Sequence, residues 1–246
     1  MNEDSGWPEL LAKLHFPNLK RLNTIISRTM QEPFHNAFGR ILTLPSLRRL
    51  NIHLIPPPSS SFMLAWQYCS PSIQHLSLRC ITGFGSTPNK PSSAFIKLKS
   101  LEMNYAGDFE SKRIGGGNLI PWSIIGTASI QVLELSDYST FHYSQSLPSF
   151  GSRSSKFLPL KLVDTLKTIP STQRIQLILL VFEESMDMEV WDDSNPTDPN
   201  PCAALDQTLA SLPLSPLPMV HIKSWAGHEE EDEFESRFPS LVEKKW

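Results

Sequence analysis

Cysteine is scarce in this chain. Three thiols in 246 residues, Cys69, Cys80 and Cys202, are odd in number and too few for a disulfide framework, and a reducing compartment is expected. An excess of one charge sign is also lacking. The formal net charge of -3 excludes the broad cationic surface on which general nucleic-acid binding rests, so no nucleic-acid partner is expected. Long apolar runs are missing too. The longest, "IQLILLVF" at 175–182, falls far short of the roughly 20 residues that span a bilayer, and no membrane association is expected. The opening stretch "MNEDSGWPELLAKL" is acidic and has no apolar core of a secretory signal. Together these absences point to the cytoplasm or the nucleus.

The residue sets that carry chemistry are equally sparse. Cys69, His75 and Cys80 lie six and five apart, unlike the C-x2-4-C pairs of structural zinc sites, and read as packed or solvated thiols beside a surface imidazole. "GFGSTPN" holds Gly83, Gly85 and Ser86 but does not meet the G-x-S-x-G pattern of a nucleophile elbow. "RIGGGN" at 113–118 offers backbone freedom without the Lys-Ser/Thr that completes a phosphate-binding loop. The acidic runs "MDMEVWDD" (186–193) and "HEEEDEFE" (228–235) lack the alternating ligands and turn glycine of a calcium loop, so both read as solvated charge. No catalytic residue, metal or cofactor is expected.

What the chain does have is a recurring phrase. At 40% hydrophobic and 19% charged residues it has the composition of a folded domain, and its 21 prolines exceed the roughly 5% average, so short, interrupted elements are expected. "LPSLRRLNIHL" (44–54) spaces Leu47, Leu50, Ile52 and Leu54 by three, two and two. The L-x-x-L-x-L pattern returns in "NLKRLNT", "SIQHLSL", "KLKSLEM" and "SIQVLEL", and more weakly in "TQRIQL" (Ile175, Leu177) and "LPMVHI" (Leu217, Val220, Ile222). Its middle anchors Leu22, Leu50, Leu76, Leu101 and Leu133 are 28, 26, 25 and 32 residues apart. The steps on to Ile175 and Val220 are 42 and 45, which implies insertions.

A strand sends alternate side chains to opposite faces, so the last two anchors of each phrase point inward and the first packs beside them. A single copy cannot bury such a face, so neighbours must stack on it. Between the strands, "SSFMLAWQYC" (60–69), "NLIPWSIIG" (118–126), "LPLKLVDTLKTI" (158–169) and "PCAALDQTLASL" (201–212) carry near-helical apolar spacing, for instance Val163, Leu166 and Ile169, or Leu205, Leu209 and Leu212. Residues 81–95 and 142–157 read as Ser/Pro/Gly-rich loops, 183–201 as an acidic loop, and 228–246 as a C-terminal capping segment docked by Phe234, Phe238 and Leu241. The expected fold is α/β, one irregular leucine-rich-repeat domain over 1–246 with a parallel concave sheet and convex helices.

The outward strand positions are the candidate site. With Leu50 and Ile52 inward, Arg49, Asn51 and His53 face out. His75, Ser77 and Arg79 follow, then Ser100, Glu102 and Asn104, then Glu134 and Ser136, Arg174 and Gln176, and His221 and Lys223, with Arg21 and Asn23 before them. Stacked strands bring these into columns about 4.8 Å apart, a polar face suited to a protein partner.

The phrases "LPSLRRLNI" and "CSPSIQHLSL", Trp66 and Trp122 between them, and the closing "ESRFPSLVEKKW" resemble the leucine-rich-repeat region of fungal F-box-like proteins. The resemblance implies a solenoid that recognises a protein partner, such as a substrate for ubiquitination. It does not extend to the F-box: "GWPELLAKL" is a poor match to that module's opening L-P-x-E phrase, so coupling to a ubiquitin-ligase adaptor is not implied. The loop Asn or Cys of such repeats is also replaced, by Ser27, Ile55, Ile81, Ala106 and Tyr138, so loop backbone groups need other partners. Two alternatives stay open: an α/β hydrolase-like enzyme using Ser86 or the Gly115–Gly117 loop, and a truncated product without independent function.

Overall fold

The computed structural model describes residues 16–26, 38–54, 69–80, 95–105, 129–137, 157–182, 201–224 and 238–240. Seven strands of six residues each form one sheet in chain order: β1 (Arg21–Ile26), β2 (Arg49–Leu54), β3 (His75–Cys80), β4 (Ser100–Tyr105), β5 (Val132–Asp137), β6 (Leu177–Phe182) and β7 (Met219–Ser224). Every neighbouring pair is parallel. Parallel neighbours need a crossover, and those after β5 and β6 carry helices α1 (Phe157–Lys167) and α2 (Pro201–Ala210). The class is α/β and the arrangement solenoid-like.

The strand starts share one local device. Leu19, Leu47, Ile73 and Leu98 each donate their backbone N–H to the carbonyl three residues back, closing the turns FPNL, LPSL, SPSI and FIKL at 2.9–3.2 Å. Proline fills the second position of three of them, where its fixed φ suits the turn. The ladder then opens with a shared acceptor. The N–H groups of Arg48 and Arg49 both reach the Lys20 carbonyl, at 2.9 and 3.0 Å, and the same doubled bond recurs on Arg48, Gln74, Lys99 and Gln131. At β7 the residue before the strand is Pro218, which has no N–H, and Met219 alone donates to the Gln176 carbonyl at 2.8 Å.

The register places the anchors in three rows. Leu22, Leu50, Leu76, Leu101, Leu133, Ile178 and Val220 align across the sheet, as do Thr24, Ile52, Leu78, Met103, Leu135, Leu180 and Ile222. From β2 to β6 these side chains, and the first anchors Leu47, Ile73, Leu98, Ile130 and Ile175, are at most 2% exposed. Each such burial is worth about 1.5–3 kcal/mol. On the two outer strands of the described sheet, Leu22, Val220 and Ile222 are only partly buried, as is Leu19 ahead of the first.

Both helices cover this buried face. Leu162, Val163, Leu166 and Ile169 of the α1 region and Leu205, Leu209 and Leu212 of the α2 region join the strand anchors in one core. Prolines stand in the first turn of each helix, Pro159 and Pro201, where a missing N–H costs nothing. Phe38, Ile41 and Leu42, in helical residues 38–42, bury the same way, and the Leu42 carbonyl accepts the Ser70 N–H at 2.7 Å.

Buried polar side chains satisfy backbone groups at the strand entries. The Ser72 hydroxyl donates to the Leu47 carbonyl at 2.9 Å and lies 2.6 Å from the Ser70 hydroxyl. The buried Gln173 accepts the Ile130 N–H on Oε1 at 3.2 Å, joining two rungs 43 residues apart. Near the far end Phe238 is 1% exposed within the core, and buried Asp206 accepts the Ser240 N–H at 3.0 Å. Phe234 and Leu241 lie outside the described residues, as do Trp66, Trp122 and residues 183–200.

Candidate functional site

The opposite face of the sheet carries the odd-numbered phase of the strands in three columns. The first runs Arg21, Arg49, His75, Ser100, Val132, Leu177 and Met219. The second runs Asn23, Asn51, Ser77, Glu102, Glu134, Leu179 and His221. The third runs Ile25, His53, Arg79, Asn104, Ser136, Val181 and Lys223. Columns one and two are exposed or half-buried throughout. The third closes toward the middle, where Asn104, Ser136 and Val181 are buried.

A groove of about 230 Å³ opens at the strand starts of β1–β4. It is lined by Arg21, Arg49, Leu50, Asn51, His75, Leu76, Ser77, Ser100 and Glu102. Six of the expected site residues, Arg49, Asn51, His75, Ser77, Ser100 and Glu102, thus meet in one cavity, with Arg21 beside them.

Charge is graded across the face. Arg21 and Arg49 are register partners, and His75 is the next along. Among the described residues, no carboxylate lies within ion-pair distance of either guanidinium; Arg21 donates from Nε to Asn23 Oδ1 at 3.4 Å. Burial, then the Arg49 and Lys99 charges, hold the His75 imidazole below its usual pKa. His53 is lowered by burial and by Arg79, and its Nε2 is buried with no hydrogen-bond partner among the described residues.

The middle of the face is acidic. Asn104 donates Nδ2 to Glu102 Oε1 at 2.6 Å, and the Ser136 hydroxyl donates to Asn104 Oδ1, so Glu102 is held in place by a buried pair. Glu134 sits beside Glu102 in register. Burial and the Glu102 charge raise its pKa, against the opposing pull of Lys223.

Two expected site residues change place. A strand with Ile175 as its middle anchor would carry Arg174 and Gln176 on its outer face. β6 instead runs Leu177–Phe182 with Ile178 in that row, and Ile175 is the first anchor. Arg174 and Gln176 therefore precede the strand, both exposed, and Leu177, Leu179 and Val181 occupy the outer face there. The steps around β6 are accordingly 45 and 42 residues, the reverse of the expected order. Because "LILLVF" is apolar on both faces, it offers no alternation to fix the phase. The signal was nonetheless present: Ile175, Ile178 and Leu180 reproduce the i, i+3, i+5 spacing of the other copies.

Among the described residues, no group of three His, Cys, Asp or Glu side chains could hold a metal ion. Cys69 and Cys202 are buried, and burial pushes the Cys69 thiol far up, away from the reactive thiolate. Ser86 and Gly115–Gly117 lie outside the described residues. No helix among the described residues is long and apolar enough to cross a membrane. Compared with protein-family models, curated proteins and solved structures, the chain matches none.

Proposed function

We propose that this chain is a degenerate leucine-rich-repeat solenoid that works as a non-catalytic protein-interaction module, similar to the partner-recognition part of F-box ubiquitin-ligase receptors. The observation that carries the reading is the groove: side chains from four strands, spread from Arg21 to Glu102 in sequence, converge on one open polar cavity. Such a surface offers hydrogen bonds and charge at fixed spacing to a protein partner, such as a ubiquitination substrate. The repeated turn phrase, the sequential parallel order and the in-register anchors support a repeat architecture. Sequential rungs also favour an extended binding face over an enclosed reaction site.

The test compares partner recovery on the immobilised full chain with recovery on a variant carrying Arg49→Ala, His75→Ala and Glu102→Ala together. The expected result is loss of a specific partner while the variant keeps a cooperative melt. Unchanged recovery by the folded variant would overturn the assignment of the groove.

A further inference from the structure

Resting on the interaction-module reading, we infer that the groove selects an extended segment of its partner that carries an acid and a base, seating one carboxylate between Arg21, Arg49 and His75 and directing a cationic side chain further along to Glu102. Three observations carry this. Arg21 and Arg49 stand one strand spacing apart with no carboxylate paired to either among the described residues, so a bound carboxylate meets two guanidinium charges at once. A guanidinium fork matches a carboxylate in two parallel hydrogen bonds, which an ammonium cannot reproduce. At about 230 Å³ the cavity is below the roughly 300–1,000 Å³ of whole-ligand pockets and suits one side chain of a longer segment.

The acidic side of the groove sets the rest of the motif. Glu102, fixed by Asn104 and backed by Glu134, repels a second anion, which argues against a polyanion such as nucleic acid and for a cation at that point. Arg49 and Glu102 are two strands and one column apart, about 12 Å from a strand spacing of about 4.8 Å and a rise of about 3.3 Å per residue. Side chains on one side of an extended chain repeat every second residue, so an acid and a base four residues apart, about 13 Å, fit this span best.

His75 supplies an independent readout. Facing it are Arg49 on β2, Lys99 just before β4, and Ser100 and Glu102 on β4. A carboxylate seated against the ring favours the imidazolium, so binding takes up a proton and tightens as pH falls from about 7.5 to 6, by at most about tenfold per pH unit.

The experiment titrates the full chain with labelled pentapeptides followed by fluorescence anisotropy. The probe is Glu-Thr-Val-Thr-Lys with blocked ends, a sequence poor in helix formers. Its controls are the Gln/Gln, Glu/Glu and Gln/Lys versions and an oligothymidylate. Glu…Lys is expected to bind about tenfold more tightly than Gln…Lys or Glu…Glu. Arg49→Gln should abolish the preference for Glu over Gln, and Glu102→Gln the preference for Lys over Glu. His75→Gln should flatten the pH dependence. Equal binding of all peptides, or tightest binding of Glu…Glu or the oligonucleotide, would overturn the motif. That failure is separable from failure of the module reading. If partner recovery still depends on Arg49, His75 and Glu102 while the peptides are not discriminated, only the charge-pair motif is wrong.

Discussion

A pair of adjacent substitutions in β6 tests the register on which the open face depends. Ile178 is fully buried in the anchor row, whereas Leu177 is half-buried on the opposite face. Replacing Ile178 with Asn forfeits about 1.5–3 kcal/mol of apolar burial. It also places an amide without a partner in the core, which adds about 1–3 kcal/mol. The expected destabilisation is therefore about 2.5–6 kcal/mol, a large share of the roughly 5–15 kcal/mol that holds a typical domain. Leu177→Asn loses only part of one side chain's burial, and its amide reaches solvent, so about 1 kcal/mol is expected. Both changes put the same residue at neighbouring strand positions, so intrinsic strand preference nearly cancels between them. Urea unfolding followed by circular dichroism reads the difference as a shift in midpoint at unchanged slope. If Leu177→Asn proves the more damaging, Ile175 and Leu177 are the inward pair and the outer face regains Arg174 and Gln176. If the two are equal, β6 is not an alternating strand at all.

Gln173→Ala should cost about 1–3 kcal/mol, because the Ile130 N–H that it serves stays buried without an acceptor. Gln173→Glu, which keeps an acceptor there, should recover part of that loss in the same urea assay. The fold should also lose stability as pH falls below about 6.5, since His53 and His75 are held below their usual pKa. Above that pH both rings are neutral in the folded and unfolded chain; below it the unfolded chain binds protons more readily, and the stability is lost as pH passes down through the folded-state values. The double variant His53→Gln, His75→Gln should show a flatter dependence of urea midpoint on pH between about 7 and 5, and an unchanged slope would refute the assignment.

The strands were legible wherever the phrase alternates. "RLNIHL" and "HLSLRC" put apolar residues at every second place and polar ones between, so spacing alone fixes phase and face. The two helices between β5 and β7 were legible from Val163, Leu166 and Ile169, and from Leu205, Leu209 and Leu212, because a 3.6-residue period is distinct from a period of two. β6 was not, since an apolar run on both faces satisfies either phase. The site residues in columns one and two followed directly from the alternation. What no spacing could supply was their combination: that Arg21 joins Arg49 without a carboxylate among the described residues, and that Ser136 braces the Asn104 that holds Glu102, depend on neighbours far apart in the chain.

That separation between spacing and neighbourhood explains how one frame keeps its columns while the steps between rungs vary. Rung-to-rung steps range from 25 to 45 residues, yet every strand keeps six residues and the register never slips. Loop-closure entropy grows only with the logarithm of length, so stretching a step from 25 to 45 residues costs about 0.5 kcal/mol. One buried leucine, at about 1.5–3 kcal/mol, outweighs that several-fold, so insertions between rungs leave the columns where the anchors put them. The anchors tolerate no such freedom, because a slip of one residue would turn every leucine outward. Folding therefore fixes the inward row and is almost indifferent to the outward one. Arg21 and Arg49 lie on that outward row and outside the core, so the folding argument leaves their identity open to the binding role proposed above.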